Sequence, residues 1–63
     1  MSRCFVVANY HTGIPYRNQE YMTREECEEW ITHDIEINNG LGIPTTRSDY
    51  EIQDHSEFMK GKN

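Results

Sequence analysis

Apolar side chains recur at three- and four-residue intervals in the middle of the chain. The repeat comprises Cys27, Trp30, Ile31 and Ile35, and this spacing is typical of the buried face of an amphipathic helix. Immediately before it, Thr23 and Glu26 match the Ser/Thr-x-x-Glu capping box, in which each side chain bonds the backbone N–H of the other residue. The pattern predicts a helix over residues 23 to about 38.

Two features leave the end of this helix open. Asp34 falls within the apolar repeat, so either the helix frays after His33 or Asp34 lies at the edge of the packed layer and finds a hydrogen-bond donor. The Asn-Asn-Gly sequence at 38–40 tolerates left-handed backbone and suits a C-terminal cap. In a second interpretation the helix ends near His33, residues 35–37 form a strand, and Asn39-Gly40 makes a hairpin turn. We favour the continuous helix.

Three segments have the composition of strands. Residues 4–10 are rich in β-branched and aromatic side chains and too short for a typical helix. Gly13 and Pro15 favour a turn after it, from which residues 16–22 can return antiparallel as a polar edge strand. The same polar segment is equally consistent with an irregular loop. Within residues 48–55, apolar and polar side chains alternate as they do in a half-buried strand.

These elements predict a single α+β domain over residues 1–58, with a frayed tail over residues 59–63. We expect a small antiparallel or mixed sheet with one amphipathic helix packed across it, in β-β-α-β order. The helix joins two strands that can lie parallel through a right-handed crossover. The expected core consists of Val6, Ala8, Cys27, Trp30, Ile31, Ile35, Tyr50 and Ile52.

The chain is short, acidic and poor in cysteine. Its 63 residues carry a formal charge of −5, from eleven acidic and six basic side chains. This balance argues against direct binding to nucleic acid or to an anionic membrane, because Lys and Arg provide most of the affinity for phosphate. A protein with a basic surface is the natural partner. No apolar stretch approaches the length of a membrane span, and two cysteines make no disulfide framework, so we expect a cytoplasmic protein.

No motif indicates catalysis, metal binding or phosphate binding. The cysteines and histidines lack the paired spacing of zinc ligands. Cys27 lies among glutamates, which raise the pKa of a thiol and disfavour a nucleophilic thiolate. The four glycines match neither the dinucleotide nor the P-loop pattern. We therefore expect no enzyme activity, no catalytic residue, no metal and no cofactor.

Two surfaces are candidates for binding a partner. On a helical wheel, an acidic face lies opposite Cys27, and no Lys or Arg except Arg24 stands three or four residues away to pair with it. This face comprises Glu25, Glu28, Glu29 and Glu36. An ordinary solvated helix back has the same composition.

The second surface is the predicted hairpin, which carries Tyr10, Tyr16, Arg17 and Tyr21. Tyrosine and arginine are enriched in binding hot spots, although tyrosines beside a turn also pack across strands. This surface suits an assembly module, such as a homodimer formed through an edge strand.

The run Thr-Arg-Glu-Glu-Cys-Glu-Glu-Trp-Ile at 23–31, with a hairpin before it and Tyr-Glu-Ile at 50–52 after it, resembles short phage-encoded accessory proteins that pair a small sheet with one acidic helix. The resemblance covers most of the chain. It implies a protein that binds and inhibits a host nucleic-acid-handling machine in the host cytoplasm. Our leading hypothesis is a non-enzymatic module that docks its acidic helix face onto a basic protein surface.

Overall fold

A computed structural model describes residues 3–16 and 20–57 of the protein. They form strand β1 (Phe5–Asn9), helix α1 (Arg24–Gly40), a 3₁₀ turn (Arg47–Asp49) and strand β2 (Tyr50–Asp54). The predicted tail over residues 59–63 and the middle of the predicted second strand, residues 17–19, lie outside the described residues. The α+β prediction is confirmed, as a two-stranded antiparallel sheet with one helix.

The two strands pair antiparallel in the register Phe5↔Asp54 to Asn9↔Tyr50. The predicted strand over residues 16–22 is not formed as such in the described residues. Two isolated antiparallel bridges, Ala8↔Pro15 and Phe5↔Met22, join that part of the chain to β1. Proline has no N–H to donate to a ladder, which helps to limit the pairing of the described residues at this edge to single bridges. Of the predicted β-β-α-β order, the first strand, the helix and the last strand are therefore confirmed.

Strand β1 has β2 along one edge and the two bridges along the other. The Tyr16 N–H donates to the Val7 carbonyl at 3.2 Å, whereas the His55 N–H donates to the Cys4 carbonyl at 2.9 Å. Because alternate residues of a strand turn their backbone groups to opposite edges, the bridges at Pro15 and Met22 lie on one side of β1 and β2 lies on the other. Both the bridges and β2 are antiparallel to β1.

Helix α1 begins at the predicted capping box. The Glu26 N–H donates to the Thr23 hydroxyl at 3.1 Å, and the Thr23 N–H donates to Glu26 Oε1 at 2.9 Å. The helix then continues through Gly40. The continuous helix is thus confirmed, and the interpretation of residues 35–37 as a strand is wrong.

The helix ends two residues later than the predicted cap. Gly42 has a φ of +81°, and its N–H donates to the Asn39 carbonyl at 3.1 Å. The Ile43 N–H donates to the Asn38 carbonyl at 2.9 Å. These two bonds make a Schellman motif, which needs a left-handed residue that glycine supplies at little cost.

The core forms where α1 crosses the sheet. Five of the eight predicted core residues are buried, namely Val6, Ala8, Cys27, Ile31 and Tyr50. The other three, Trp30, Ile35 and Ile52, are partly buried and pack against this core. Val7 is also fully buried and packs with Cys27 and Ile31 beneath the helix. It was missing from the prediction because both faces of β1 are apolar, and the alternation of its side chains does not say which face the helix covers.

Asp34 finds its hydrogen-bond donor in β2. The Tyr50 hydroxyl donates to Asp34 Oδ2 at 2.6 Å, and Asn38 Nδ2 donates to the same oxygen at 3.3 Å. Burial, followed by the hydrogen bond to Asp34 and its negative charge, raises the pKa of Tyr50, so this hydroxyl stays a donor. The carboxylate that interrupts the apolar repeat therefore fixes the third turn of α1 to the first residue of β2.

The capping box leads to a first prediction. Thr23→Ala removes the hydroxyl that accepts from the Glu26 N–H, and we expect it to lower the free energy of unfolding by about 1 kcal/mol. Urea denaturation followed by circular dichroism measures this. Thr32→Ala is the matched control, because that hydroxyl donates to the Glu28 carbonyl inside the helix and caps nothing. Equal losses in the two variants would contradict the role given to the cap.

The Tyr50 hydroxyl leads to a second prediction. Tyr50→Phe leaves the Asp34 carboxylate half-buried without its shortest hydrogen bond, and we expect a loss of about 1.5–3 kcal/mol in the free energy of unfolding. The same denaturation experiment applies. Tyr10→Phe is the control, since Tyr10 is 62% exposed and should stay within about 0.5 kcal/mol of the wild type. A Tyr50→Phe variant as stable as this control would show that the bond to Asp34 contributes nothing.

Candidate functional site

The outward side of α1 carries a row of three exposed glutamates. Glu25, Glu29 and Glu36 lie within about 40° of one another around the helix axis, and the row is about 16 Å long. It lies opposite Cys27 and Ile31, which are fully buried. We call these three residues the acidic row.

The other acidic side chains of α1 are held within the fold. Arg47 donates to Glu28 through Nε and Nη2, each at 3.1 Å. Arg3 donates in the same two-bonded way to Glu26, at 3.3 Å for both contacts. With Asp34 bonded to Tyr50, three of the six carboxylates in the helix have partners.

Glu28 was predicted as an unpaired member of the acidic face, and this part of the prediction is wrong. Its partner, Arg47, comes from the 3₁₀ turn before β2, 19 residues further along the chain. The hydrogen bond from Arg47 is the main reason that the pKa of Glu28 lies below its ordinary value. The side chain of Glu28 remains about half exposed, so it can still face a partner together with its arginine.

No partner of this kind reaches the acidic row from the described residues. Among the described residues, no hydrogen bond or ion pair reaches the side chain of Glu25, Glu29 or Glu36. A shallow surface groove runs beside the row, lined by Glu28, Glu29, Thr32, His33 and Glu36. The result is a narrow strip of negative charge on the most exposed side of the helix.

The predicted hairpin surface is dispersed in the structure. Tyr10 is exposed just after the end of β1, and its ring makes an edge-to-face contact with the His11 ring. Tyr16 packs against Trp30, with ring centroids 5.3 Å apart, and is half-buried. Tyr21 lies next to the Phe5↔Met22 bridge at the opposite end of β1, and its hydroxyl is 3.2 Å from His55 Nδ1. Arg17 lies outside the described residues. The structure therefore does not bring the three tyrosines together.

No family model, curated protein or solved structure matches this chain. We therefore infer its function from the surface of α1.

The two cysteines are both free thiols and both buried. Burial is the main cause that raises the pKa of each, with the charge of Asp54 adding to it at Cys4 and the charge of Glu26 at Cys27. In the part of the chain that the structure describes, no three His, Cys, Asp or Glu side chains are grouped so that they could hold a metal ion. Within the same residues, no helix has the length and apolarity to cross a membrane.

Sequence reasoning missed two features of this surface. The Arg47–Glu28 pair was missed because only residues three or four positions away on the helix were considered as partners. The second is a group of exposed apolar side chains, Ile37, Leu41 and Ile43, at the C-terminal end of α1. A helical wheel indicates that two of them are exposed, because Ile37 and Leu41 fall on the flank of the helix and away from the centre of the buried face.

The Arg47–Glu28 pair leads to a third prediction. Arg47→Gln removes the guanidinium, and we expect the pKa of Glu28 to rise towards its ordinary value. Because the folded-state pKa of Glu28 is lowered, the pair stabilises the wild type above the unfolded-state pKa. This contribution is lost as the pH falls through the folded-state value, below about pH 5, so the variant should lose less stability on acidification.

NMR titration of the side-chain carboxyl carbons measures this shift. The pKa of Glu26 is the internal control, because the Thr23 N–H and Arg3 hold it low without any contribution from Arg47. An unchanged pKa at Glu28 would show that the pair does not persist in solution.

Proposed function

We propose that this protein is a non-enzymatic binding module that docks the acidic row of α1 onto a basic surface of another protein. One observation carries the proposal. The described part of the fold supplies partners for Glu26, Glu28 and Asp34, and it leaves Glu25, Glu29 and Glu36 exposed without any. A partner protein can therefore approach these three carboxylates without first displacing an internal arginine.

The physics of exposed charge defines what the row contributes. A single exposed ion pair is worth only about 0.2–1 kcal/mol, so three of them cannot account for tight binding. A row of side chains that are all negatively charged instead steers a basic surface into the correct orientation and repels acidic surfaces. Binding should accordingly weaken steeply as salt screens the charges.

A basic surface of this kind is typical of proteins that handle nucleic acid, because they neutralise phosphates with Lys and Arg. A protein that covers such a surface with carboxylates competes with the nucleic acid for it. The proposal therefore extends to an inhibitor of a nucleic-acid-handling host protein, as the resemblance to phage-encoded accessory proteins implies, acting in the cytoplasm. The alternative, assembly through the hairpin tyrosines, has less support because Tyr16 is packed against Trp30.

Charge reversal tests the proposal. We expect the triple variant Glu25→Lys/Glu29→Lys/Glu36→Lys to lose capture of partner proteins from a host lysate, because the strip then repels basic surfaces. The immobilised chain is exposed to the lysate at about 0.1 M salt and again at about 1 M, where the screening length falls from about 10 Å to about 3 Å. Bound proteins are quantified by mass spectrometry, and wild-type capture should be lost at the higher salt.

The control keeps the same net charge but leaves the row intact. The variant Glu20→Lys/Glu51→Lys/Glu57→Lys changes three glutamates outside α1 by the same amount, and we expect it to retain the captured proteins. Circular dichroism verifies that both variants fold. Equal losses in the two variants would mean that net charge, and not the acidic row, is responsible, and retention by the row variant would refute the proposal.

A further inference from the structure

Helix α1 is longer than the sheet that it covers. Its 17 residues span about 25 Å, whereas the five residues of each strand span about 17 Å. The first residue of α1 lies beside the first residue of β1, since the Arg24 guanidinium stacks on the Phe5 ring at 4.8 Å. The excess therefore lies at the C-terminal end, where Asn38 Nδ2 donates to the Tyr50 hydroxyl at 3.4 Å.

Three apolar side chains at this end of α1 are exposed. Ile37, Leu41 and Ile43 are 47%, 71% and 52% exposed. Ile37 and Leu41 are four residues apart and share one flank of the helix with Trp30, and the Schellman motif turns Ile43 back over the last helical turn. We call these three residues the apolar end.

Negative charge borders the apolar end. Glu36 of the acidic row directly precedes Ile37 in the last turns of the helix, and Glu29 lies two turns earlier. The last turn has no basic residue, so the negative end of the helix dipole is not offset by a side chain. A cation placed beside Ile37 or Leu41 is therefore favoured by the row and by the helix end together.

This charge also indicates which occupant the apolar end does not favour. A second copy of the chain would bring its own acidic row and its net charge of −5 towards the same end. Like charges across an interface are unfavourable. A homodimer formed through this surface is therefore disfavoured, although its apolar side chains are self-complementary.

We infer that the apolar end and the acidic row together take a cationic amphipathic segment of a partner protein, with its apolar side chains on Ile37 and Leu41 and its Lys or Arg side chains beside Glu29 and Glu36. Burial of apolar surface supplies the affinity that exposed ion pairs lack. This inference rests on the proposed function and deepens it by stating the chemistry of the partner.

Two synthetic peptides of identical composition test the inference. One is an amphipathic helix of Leu and Lys, about 18 residues or five turns long, with its leucines on one face. The other has the same residues in scrambled order, and so the same charge. Fluorescence anisotropy of the labelled peptides measures binding to the full chain. We expect the amphipathic peptide to bind more tightly than the scrambled one.

Three variants separate the two contributions. Ile37→Ser/Leu41→Ser should weaken binding of the amphipathic peptide roughly tenfold, about 1.4 kcal/mol, and leave the scrambled peptide unaffected. Tyr21→Ser, which changes an exposed apolar side chain at the other end of β1, should change neither. Glu29→Gln/Glu36→Gln should weaken both peptides. If the double serine variant is less helical by circular dichroism, Leu41→Ser alone replaces it, since Leu41 lies just beyond the helix and 71% exposed.

The outcomes distinguish this inference from the proposed function. Weaker binding in the glutamine variant only would overturn the inference and leave the docking of the acidic row in place. Unchanged binding in both variants would overturn both. Sedimentation equilibrium gives a further outcome, because a dimer that Leu41→Ser dissociates would make a second copy the occupant and overturn the inference.

Discussion

The hydrogen bond from Tyr50 to Asp34 is the contact that sets the orientation of α1. It joins the third turn of the helix to the first residue of β2 at 2.6 Å, and Tyr50 itself belongs to the core with Val7 and Ile31. Rotation of the helix about its axis would separate the carboxylate from this hydroxyl. A buried polar group without a partner is costly, so the bond selects the rotation in which the acidic row faces outwards.

A small domain has particular need of such a contact. Only two residues of α1 are fully buried, Cys27 and Ile31. Their packing changes little when the helix rotates by a small angle. The apolar surface buried by a chain of 63 residues leaves little margin of stability. The directional bond from the Tyr50 hydroxyl to the Asp34 carboxylate fixes the rotation of the helix on the sheet, which bulk burial does not.

Features of the fold that depend on neighbouring residues could be predicted from the sequence, and features that depend on distant residues could not. The start of α1 was readable because Thr23 and Glu26 are three positions apart and bond each other. Asp34 was recognised as a residue in need of a donor, but the donor is 16 residues away and only the folded chain identifies it. Likewise, the acidic face was visible as a pattern, while the removal of Glu28 from its unpaired members depends on Arg47 in the 3₁₀ turn. The prediction of a strand over residues 16–22 has the same difficulty, because its composition permits pairing but does not determine it. In the described residues, this part of the chain makes only single bridges to β1.

The overhanging end of α1 is held by hydrogen bonds rather than by burial. Asn39 accepts from the Thr45 N–H at 3.1 Å and donates to the Thr45 carbonyl at 3.3 Å, which fixes the following loop against the helix. Together with the Schellman bonds at Gly42 and Ile43, these contacts order the backbone beneath Leu41 without covering its side chain. A surface that is already ordered loses less entropy when it binds than a flexible one. The features that extend α1 beyond the sheet therefore cost the isolated domain some buried area. They also order an apolar surface for contact with another molecule, next to carboxylates that no described residue pairs.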